Sequence, residues 1–295
     1  MGYYKDNTVL YYDGAYLNAT AAQTNLYTQT LHYGYGVFEG IRSYNTANGA
    51  AIFKAKEHYE RLQKSGELLG IPFDYTVEQM TEISYKVLEM NNLTDAYIRP
   101  LVICDPNMTL INGTKSRLLI AVWDWGAYLG EKLLRLKISP YCRPHPRSVH
   151  MEAKAVGHYV NSILATSDAR KSGYDEALLL DCEGYLAEGP GANLFFEKDG
   201  ALFTPELGHI LPGITRETVL EICAQEGIPV HVGRYTAEDL YNADSAFFCG
   251  TGAEVVGIAA VDDQSFALPW ADSLGSRIRA IYLQLVRTAV VTEPA

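Results

Sequence analysis

The sequence predicts an α+β protein of two domains. Three observations carry that expectation. The first half runs as strands, then two amphipathic helices, then strands, so the two kinds of element are segregated. The second half holds short strands punctuated by glycine turns, the pattern of a barrel-like or strongly curved sheet. Between the halves, residues 124–132 break the periodicity with Trp125, Gly126 and Gly130. A chain of 295 residues has room for two domains. The expected division is 1–123, an interdomain loop at 124–133, and 134–295.

The elements follow in order. Residues 8–12 and 15–17 flank Asp13-Gly14, a hairpin signal. Residues 31–44, aromatic and glycine-rich, read as strand, turn and strand, and 51–53 completes a sheet. Residues 54–69 read as a helix with Leu62, Leu68 and Leu69 on one side, ended by Gly70 and Pro72. Thr76-Val77-Glu78-Gln79 matches a capping box and opens a second helix. Met80, Ile83, Val87 and Met90 give its apolar face. Residues 96–104 and 117–123 read as strands.

Beyond the loop, 133–139 reads as a strand and 159–172 as a helix stopped by Gly173. Short strands are expected at 176–181, 185–187, 193–197 and 201–204. Leu211-Pro212-Gly213-Ile214-Thr215 introduces a helix over 216–226. Strands at 246–249 and 255–261 enclose a glycine turn. A closing helix over 272–290 sets Ile278, Ile281 and Leu285 on one face.

Composition excludes several functions. Apolar residues make up 48% and charged residues 20%, the balance of a globular chain with a full core. A net charge of −11 argues against nucleic-acid or anionic-membrane partners. The five cysteines, Cys104, Cys142, Cys182, Cys223 and Cys249, are odd in number, widely spaced and without a C-x-x-C pair. That fits a reducing compartment and argues against a disulfide framework or a zinc site, and most are expected to be buried. The first residues lack a basic-then-apolar signal segment, and Asp6 stands where myristoylation wants Ser or Thr. No apolar run approaches a membrane span, so a cytoplasmic location is expected. His145, His150 and His158 lack a ligand spacing, and no metal is expected.

Chemistry has several candidate places. There is no G-x-x-x-x-G-K-[ST], and Gly34-x-Gly36-x-x-x-Gly40 misses the dinucleotide spacing. At 211–215 the amides of Ile214 and Thr215, with the Thr215 hydroxyl, either hold an anion or simply cap a helix. Gly250-Thr251-Gly252 reads either as a second anion turn or as a hairpin. Arg99 lies inside an apolar strand, so it meets an acid of the protein or a ligand carboxylate. Lys154, between Ala153 and Ala155, reads as a surface lysine or as one able to enter a pocket. Glu188 precedes Gly189-Pro190-Gly191 and then an apolar strand. It reads as a solvated acid at a turn, or as a partner for a cationic ring nitrogen or a metal.

The ordered set of motifs resembles one family. His32-Tyr33-Gly34-x-x-Val37-Phe38-Glu39-Gly40-Ile41-Arg42 is similar to the N-terminal signature of branched-chain amino acid aminotransferases, which are class IV, fold-type IV pyridoxal phosphate enzymes. The likeness continues through Arg61, Ala96-Tyr97-Ile98-Arg99-Pro100, Trp125 to Gly130, Ala153-Lys154-Ala155, Tyr159, Glu188 to Phe195, Leu211 to Arg216 and Gly250-Thr251. It implies a smaller N-terminal α/β sandwich and a larger C-terminal pseudo-barrel with helices.

It also implies roles. The cofactor would be pyridoxal 5'-phosphate, and Lys154 would form the Schiff base and move the proton. Glu188 would pair with the pyridine nitrogen and Tyr159 with the ring 3-oxygen. Arg61, Gly213, Ile214, Thr215 and Thr251 would hold the phosphate. Tyr33, Phe38, Tyr97 and Tyr128 would wall a pocket for Leu, Ile and Val side chains. Arg99 would meet the side-chain carboxylate of glutamate or 2-oxoglutarate. Tyr97 and the amides of Thr251, Gly252 and Ala253 would meet the α-carboxylate. A homodimer with shared active sites is implied, with Met108 to Leu110 crossing to the partner.

Three positions depart from the family pattern, namely His158 for Asn, Ala192 for Glu and Gly252 for Ala. The implied activity is amino-group exchange between branched-chain L-amino acids and 2-oxoglutarate. Other readings are D-amino acid or (R)-amine transamination, aminodeoxychorismate lyase, and, from a different class, a non-catalytic phosphate-ligand binding protein.

Overall fold

The structure is a computed structural model that describes residues 3–126, 129 and 132–288. The chain forms two compact units. One gathers Met1–Gly126 with Ala153–His158 and Val286–Ala295; the other gathers Ala127–Glu152 and Tyr159–Leu285. Thus the short segment carrying Lys154 groups with the N-terminal unit, although it follows the expected division in sequence.

The first unit is a seven-stranded sheet covered by two helices. Its elements are β1 (Val9–Tyr12), β2 (Ala15–Asn18), α1 (Gln29–Tyr33), β3 (Gly36–Phe38), β4 (Ile41–Thr46) and β5 (Gly49–Ile52), then α2 (Ala55–Leu69), α3 (Val77–Met90), β6 (Ala96–Cys104) and β7 (Ser116–Trp123). The strand order is β2-β1-β7-β6-β4-β5, with β3 also pairing β6. The Asp13-Gly14 turn forms as expected, both residues having positive φ. The capping box at Thr76 and Gln79 is present. Residues 31–33 are helical rather than extended, because Thr28 caps α1 and Gly34 ends it in the left-handed region.

On β6 the side chains alternate. Ala96, Ile98, Val102 and Cys104 enter the core with Tyr59, Leu62, Met80 and Val87 of the helices. Tyr97 and Arg99 therefore face the other way. The same alternation sends Val37 into the core and Phe38 to the opposite face.

At Gly34 a side chain would meet backbone rather than a flexible side chain. The residue's φ is +66°, and a Cβ there would stand 2.8 Å from Gly157 Cα. The Gly34 carbonyl accepts from Gly157 N at 3.0 Å. Gly34→Ala is therefore expected to lower unfolding stability by about 2 kcal/mol, from left-handed strain and backbone overlap. Chemical denaturation measures it, and an unchanged midpoint would refute the close approach.

The second unit holds an eight-stranded sheet. It begins with β8 (Leu134–Ile138), α4 (Tyr159–Lys171) and the parallel β9 (Glu176–Leu178), a strand–helix–strand crossover. Then follow β10 (Asn193–Lys198), β11 (Ala201–Pro205), α5 (Ile214–Glu226), β12 (Val230–Gly233), α6 (Ala237–Tyr241), β13 (Ser245–Gly250), β14 (Glu254–Val261), β15 (Gln264–Ser265) and α7 (Leu274–Thr288). The order is β12-β11-β10-β13-β14-β8-β9, with β15 on β14. Leu194, Phe196, Phe248, Val256 and Ile258 form the core. Phe195 and Phe247 stack on the other face, 5.2 Å apart.

Several expectations need correction here. Residues 185–187 form no strand; Leu186 makes only an isolated bridge to Leu180. Strand β12 and helix α6 were not expected: the strand is a half-exposed edge with His231 and Gly233, and the helix has five residues. On α7 the buried stripe is Ile278, Tyr282 and Val286, not Leu285, which is exposed. No helix among the described residues is long and apolar enough to cross a membrane.

Candidate active site

In the first unit, the candidates cluster where β3 and β4 meet β6. Phe38 N donates to Lys154 O at 3.1 Å, and Glu39 N donates to Pro100 O at 2.9 Å. Lys154 N donates to Ser65 Oγ at 3.0 Å. Ala153 and Ala155 are buried, so the loop tucks against β3, while Lys154 between them is half-buried. Its Nζ lies 5.1 Å from the centroid of the Phe38 ring. The same ring carries the Arg99 guanidinium at 4.8 Å.

Arg99 is framed by aromatic rings. Tyr97 and Trp123 lie 5.2 and 5.7 Å from its guanidinium carbon. Its Nη2 donates to Tyr97 Oη at 3.2 Å, while its Nε is buried with no partner. No described acid pairs with it, so of the two alternatives left open by the sequence, the protein carboxylate is absent among the described residues. Gly40 makes room for Tyr97: a Cβ there would stand 1.9 Å from the hydroxyl. Tyr33 is exposed and donates from Oη to Met108 O at 3.1 Å. Tyr128 lies outside the described residues.

Arg61 has a partner the sequence did not reveal. Its Nε and Nη2 donate to Glu39 at 2.7 and 2.9 Å. Glu39 is fully buried and also accepts from His58 Nδ1 at 2.8 Å and from Gly40 N at 3.1 Å. Burial alone would raise the Glu39 carboxyl. The adjacent Arg61 and His58 outweigh it and hold the group well below the usual carboxylate range. Burial pushes the His58 imidazole down, against the opposing pull of Glu39. Glu39 thus fixes the arginine from behind. The signal was present in Val37-Phe38-Glu39-Gly40, since an acid in a strand joint needs a cation.

In the second unit, the candidates converge at one end of the sheet. Strands β10 and β13 are antiparallel, so the start of β10 lies beside the end of β13. Glu188 precedes β10, and its turn closes through Gly189 N donating to Ala192 O at 2.8 Å. The turn 251–253 links β13 to β14, with Ala253 buried and Thr251 and Gly252 half-buried. Asn193, the first residue of β10, donates to Leu211 O at 3.1 Å and draws the 211–215 segment to the same edge.

Helix α5 starts there. Its cap residue, Gly213, offers no side chain, so the first amides, on Ile214 and Thr215, are not capped by it. Arg216 pins the helix to β11 through Pro205 O, 3.1 Å from its Nη2. Tyr159 opens α4 and is half-buried.

Glu188 is not solvated. It is 3% exposed. Arg143 Nη2 donates to Oε1 at 2.5 Å, Asn193 Nδ2 to Oε2 at 3.0 Å, and Leu211 N to both oxygens at 3.2 and 3.3 Å. Arg143 in turn reaches Asn161 Oδ1 and Ser162 Oγ at 3.3 and 3.4 Å, and Ser162 donates to Pro190 O at 2.7 Å. Arg143 was missed by sequence reasoning because its partner lies 45 residues away, with no local pattern to announce it.

These groups fit pyridoxal phosphate. A buried carboxylate paired with a guanidinium suits a protonated ring nitrogen, and an uncapped helix start suits a phosphate. Among the described residues no cluster of three or more His, Cys, Asp or Glu is grouped to hold a metal.

Comparison with known proteins accounts for this arrangement. The sequence model of class IV amino-transferases matches residues 36–261. The chain is 40% identical over 284 residues to a branched-chain-amino-acid aminotransferase of Pseudomonas aeruginosa, covering 94% of this chain and 92% of that one. It is 38% identical over 261 residues to the Escherichia coli protein of the same name, covering 86% and 84%. Among solved structures, the branched-chain aminotransferase of Thermoproteus uzoniensis with norvaline superposes with a TM-score of 0.91 at 36% identity, covering 95% of this chain and 94% of that one. The branched-chain amino acid aminotransferase of Thermobaculum terrenum in its PLP-bound holo-form gives 0.89 at 30% identity, covering 96% and 95%. The fold is that of the fold-type IV aminotransferases, and the chain belongs to the class IV aminotransferase family.

Proposed function

We propose that the protein exchanges an amino group between branched-chain L-amino acids (Leu, Ile, Val) and 2-oxoglutarate, with pyridoxal 5'-phosphate as cofactor. The observation that carries this reading is the Phe38 ring, which bears the Lys154 amine and an Arg99 guanidinium without an acid partner among the described residues. An amine, an apolar wall and a cation on one ring suit a substrate that is either aliphatic or a dicarboxylate.

When bound, the cofactor withdraws electrons from the substrate Cα and so acidifies its proton. The residues of this chain do the rest. Lys154 Nζ would attach the cofactor and would be the base that carries the Cα proton. Glu188, paired with Arg143, would accept from the ring nitrogen. Tyr159 would donate to the ring 3-oxygen. Arg61, Ile214, Thr215 and Thr251 would hold the phosphate. Phe38, Tyr33, Tyr97 and Tyr128 wall the aliphatic pocket. Tyr97 and the 251–253 amides meet the α-carboxylate.

The apolar residues Leu26, Leu31, Met108, Leu110 and Ile111 are exposed on the first unit. They support a homodimer, with 108–110 reaching the partner's site. The unpaired cysteines and acidic charge support a cytoplasmic location.

Half-reactions test the activity. L-Leu, L-Ile, L-Val and L-Glu should each bleach the visible cofactor band of the holoenzyme. Reaction with D-alanine or (R)-α-methylbenzylamine alone would favour the other fold-type IV activities, and a protein that binds no cofactor would end the reading. Arg99→Ala should raise KM for 2-oxoglutarate about 10- to 100-fold, the worth of a charge-assisted hydrogen bond, and leave L-Leu nearly unchanged. Equal losses for both substrates would remove Arg99 from side-chain recognition.

A further inference from the structure

Two cysteines stand apart from the catalytic groups. Cys142 and Cys182 are both exposed, and their sulfurs lie 3.2 Å apart. The backbone brings them together. Beyond β8 and β9 the two chains stay paired, Ser139 N donating to Leu178 O at 2.9 Å and Arg143 N to Leu180 O at 2.8 Å. Neighbouring strands lie about 4.8 Å apart, within the roughly 4.4–6.8 Å Cα separation that a disulfide spans. The turn that presents Cys182 is fixed by Asp181 Oδ1, which accepts from Glu183 N at 2.8 Å and Tyr185 N at 2.9 Å. The sulfurs need to close by only about 1 Å to bond.

We propose that Cys142 and Cys182 form a modification site, a dithiol that closes to a disulfide on oxidation by hydrogen peroxide. Cys182 donates its S–H to Arg143 O at 3.3 Å and shares a hydrogen bond with Cys142, which raises the Cys182 thiol. With the Cys182 S–H engaged by that carbonyl, Cys142 reacts first. Its thiolate attacks one peroxide oxygen, the O–O bond breaks, and the departing hydroxide takes a proton to become water. The sulfenic acid on Cys142 is then attacked by the Cys182 sulfur. The S–S bond forms and a second water leaves with the Cys182 proton. The two thiols lose two electrons, and one peroxide becomes two waters.

The other cysteines do not compete. Cys104, Cys223 and Cys249 are buried, and burial raises all three thiols, Cys104 and Cys223 to about 11. Closure removes the Cys182 S–H and with it the bond to the Arg143 carbonyl.

Thiol titration of the native holoenzyme tests the site. The reduced protein should show two fast-reacting thiols. One equivalent of peroxide should remove both, with a single Cys142–Cys182 linked peptide in a non-reducing digest, and dithiothreitol should restore them. Cys182→Ser should yield no linked peptide and leave Cys142 to oxidise further. The proposal is overturned if both thiols persist after stoichiometric peroxide. Separate sulfinic acids in the native sequence, or a link to another chain, would overturn it equally.

Discussion

Lys154→Ala should abolish turnover, lowering kcat by about 10⁴-fold or more, because in the proposed reaction one amine would serve both as attachment point and as proton carrier. The loss is chemical rather than structural. The ladder that seats the loop uses the backbone of residue 154, whose N–H donates to Ser65 and whose carbonyl accepts from Phe38. Alanine keeps both bonds and stands between two buried alanines already accommodated there. The variant should therefore unfold at nearly the wild-type midpoint, bind cofactor without the wild-type visible band, and release it on dialysis. Lys154→Arg should be no better, since a guanidinium keeps its proton at any working pH. Turnover within tenfold of wild type in either variant would move the catalytic amine elsewhere.

The fold was legible wherever local chemistry decides it. The Asp13-Gly14 hairpin, the Thr76 capping box and the glycine stops at Gly70 and Gly173 rest on a few adjacent residues, and each forms in the structure. Expectation failed where long-range packing chose among weak local preferences. Residues 31–33 have aromatic and branched side chains that suit a strand, yet Thr28 and Gly34 close a helix around them. Strand β12 exists only because β11 offers it an edge.

The candidate site divides in the same way. Its candidate residues could be named through the family resemblance, but the ties that hold them could not. Glu39 lies 22 residues from Arg61, and Arg143 lies 45 from Glu188. In each case an acid was visible, and the cation that pairs with it came from a distant part of the chain. Burial is what makes those partners compulsory, and burial is a property of the fold rather than of a short stretch.

Arg143 gives the second large effect. Its guanidinium is buried, with one bond to Glu188 and two to α4. Arg143→Met fills the volume with an apolar chain but leaves the Glu188 carboxylate buried without its cation. Breaking one partner of such a pair costs about 3–5 kcal/mol in stability. Turnover should fall about 10- to 100-fold as well, since a carboxylate drawn toward neutrality holds the ring nitrogen less well, and a charge-assisted bond is worth roughly 1.5–3 kcal/mol. A merely structural arginine would lose stability alone. The double variant Arg143→Met with Glu188→Gln separates the two roles. Removing both charges should restore most of the stability, because Asn193 and Leu211 N can still bond a neutral amide oxygen. It should not restore turnover, because glutamine carries no charge to keep the nitrogen protonated. Denaturation midpoints and kcat measured on the four proteins form a double-mutant cycle. Recovery of both quantities together would make the pair a packing device and remove Glu188 from the chemistry.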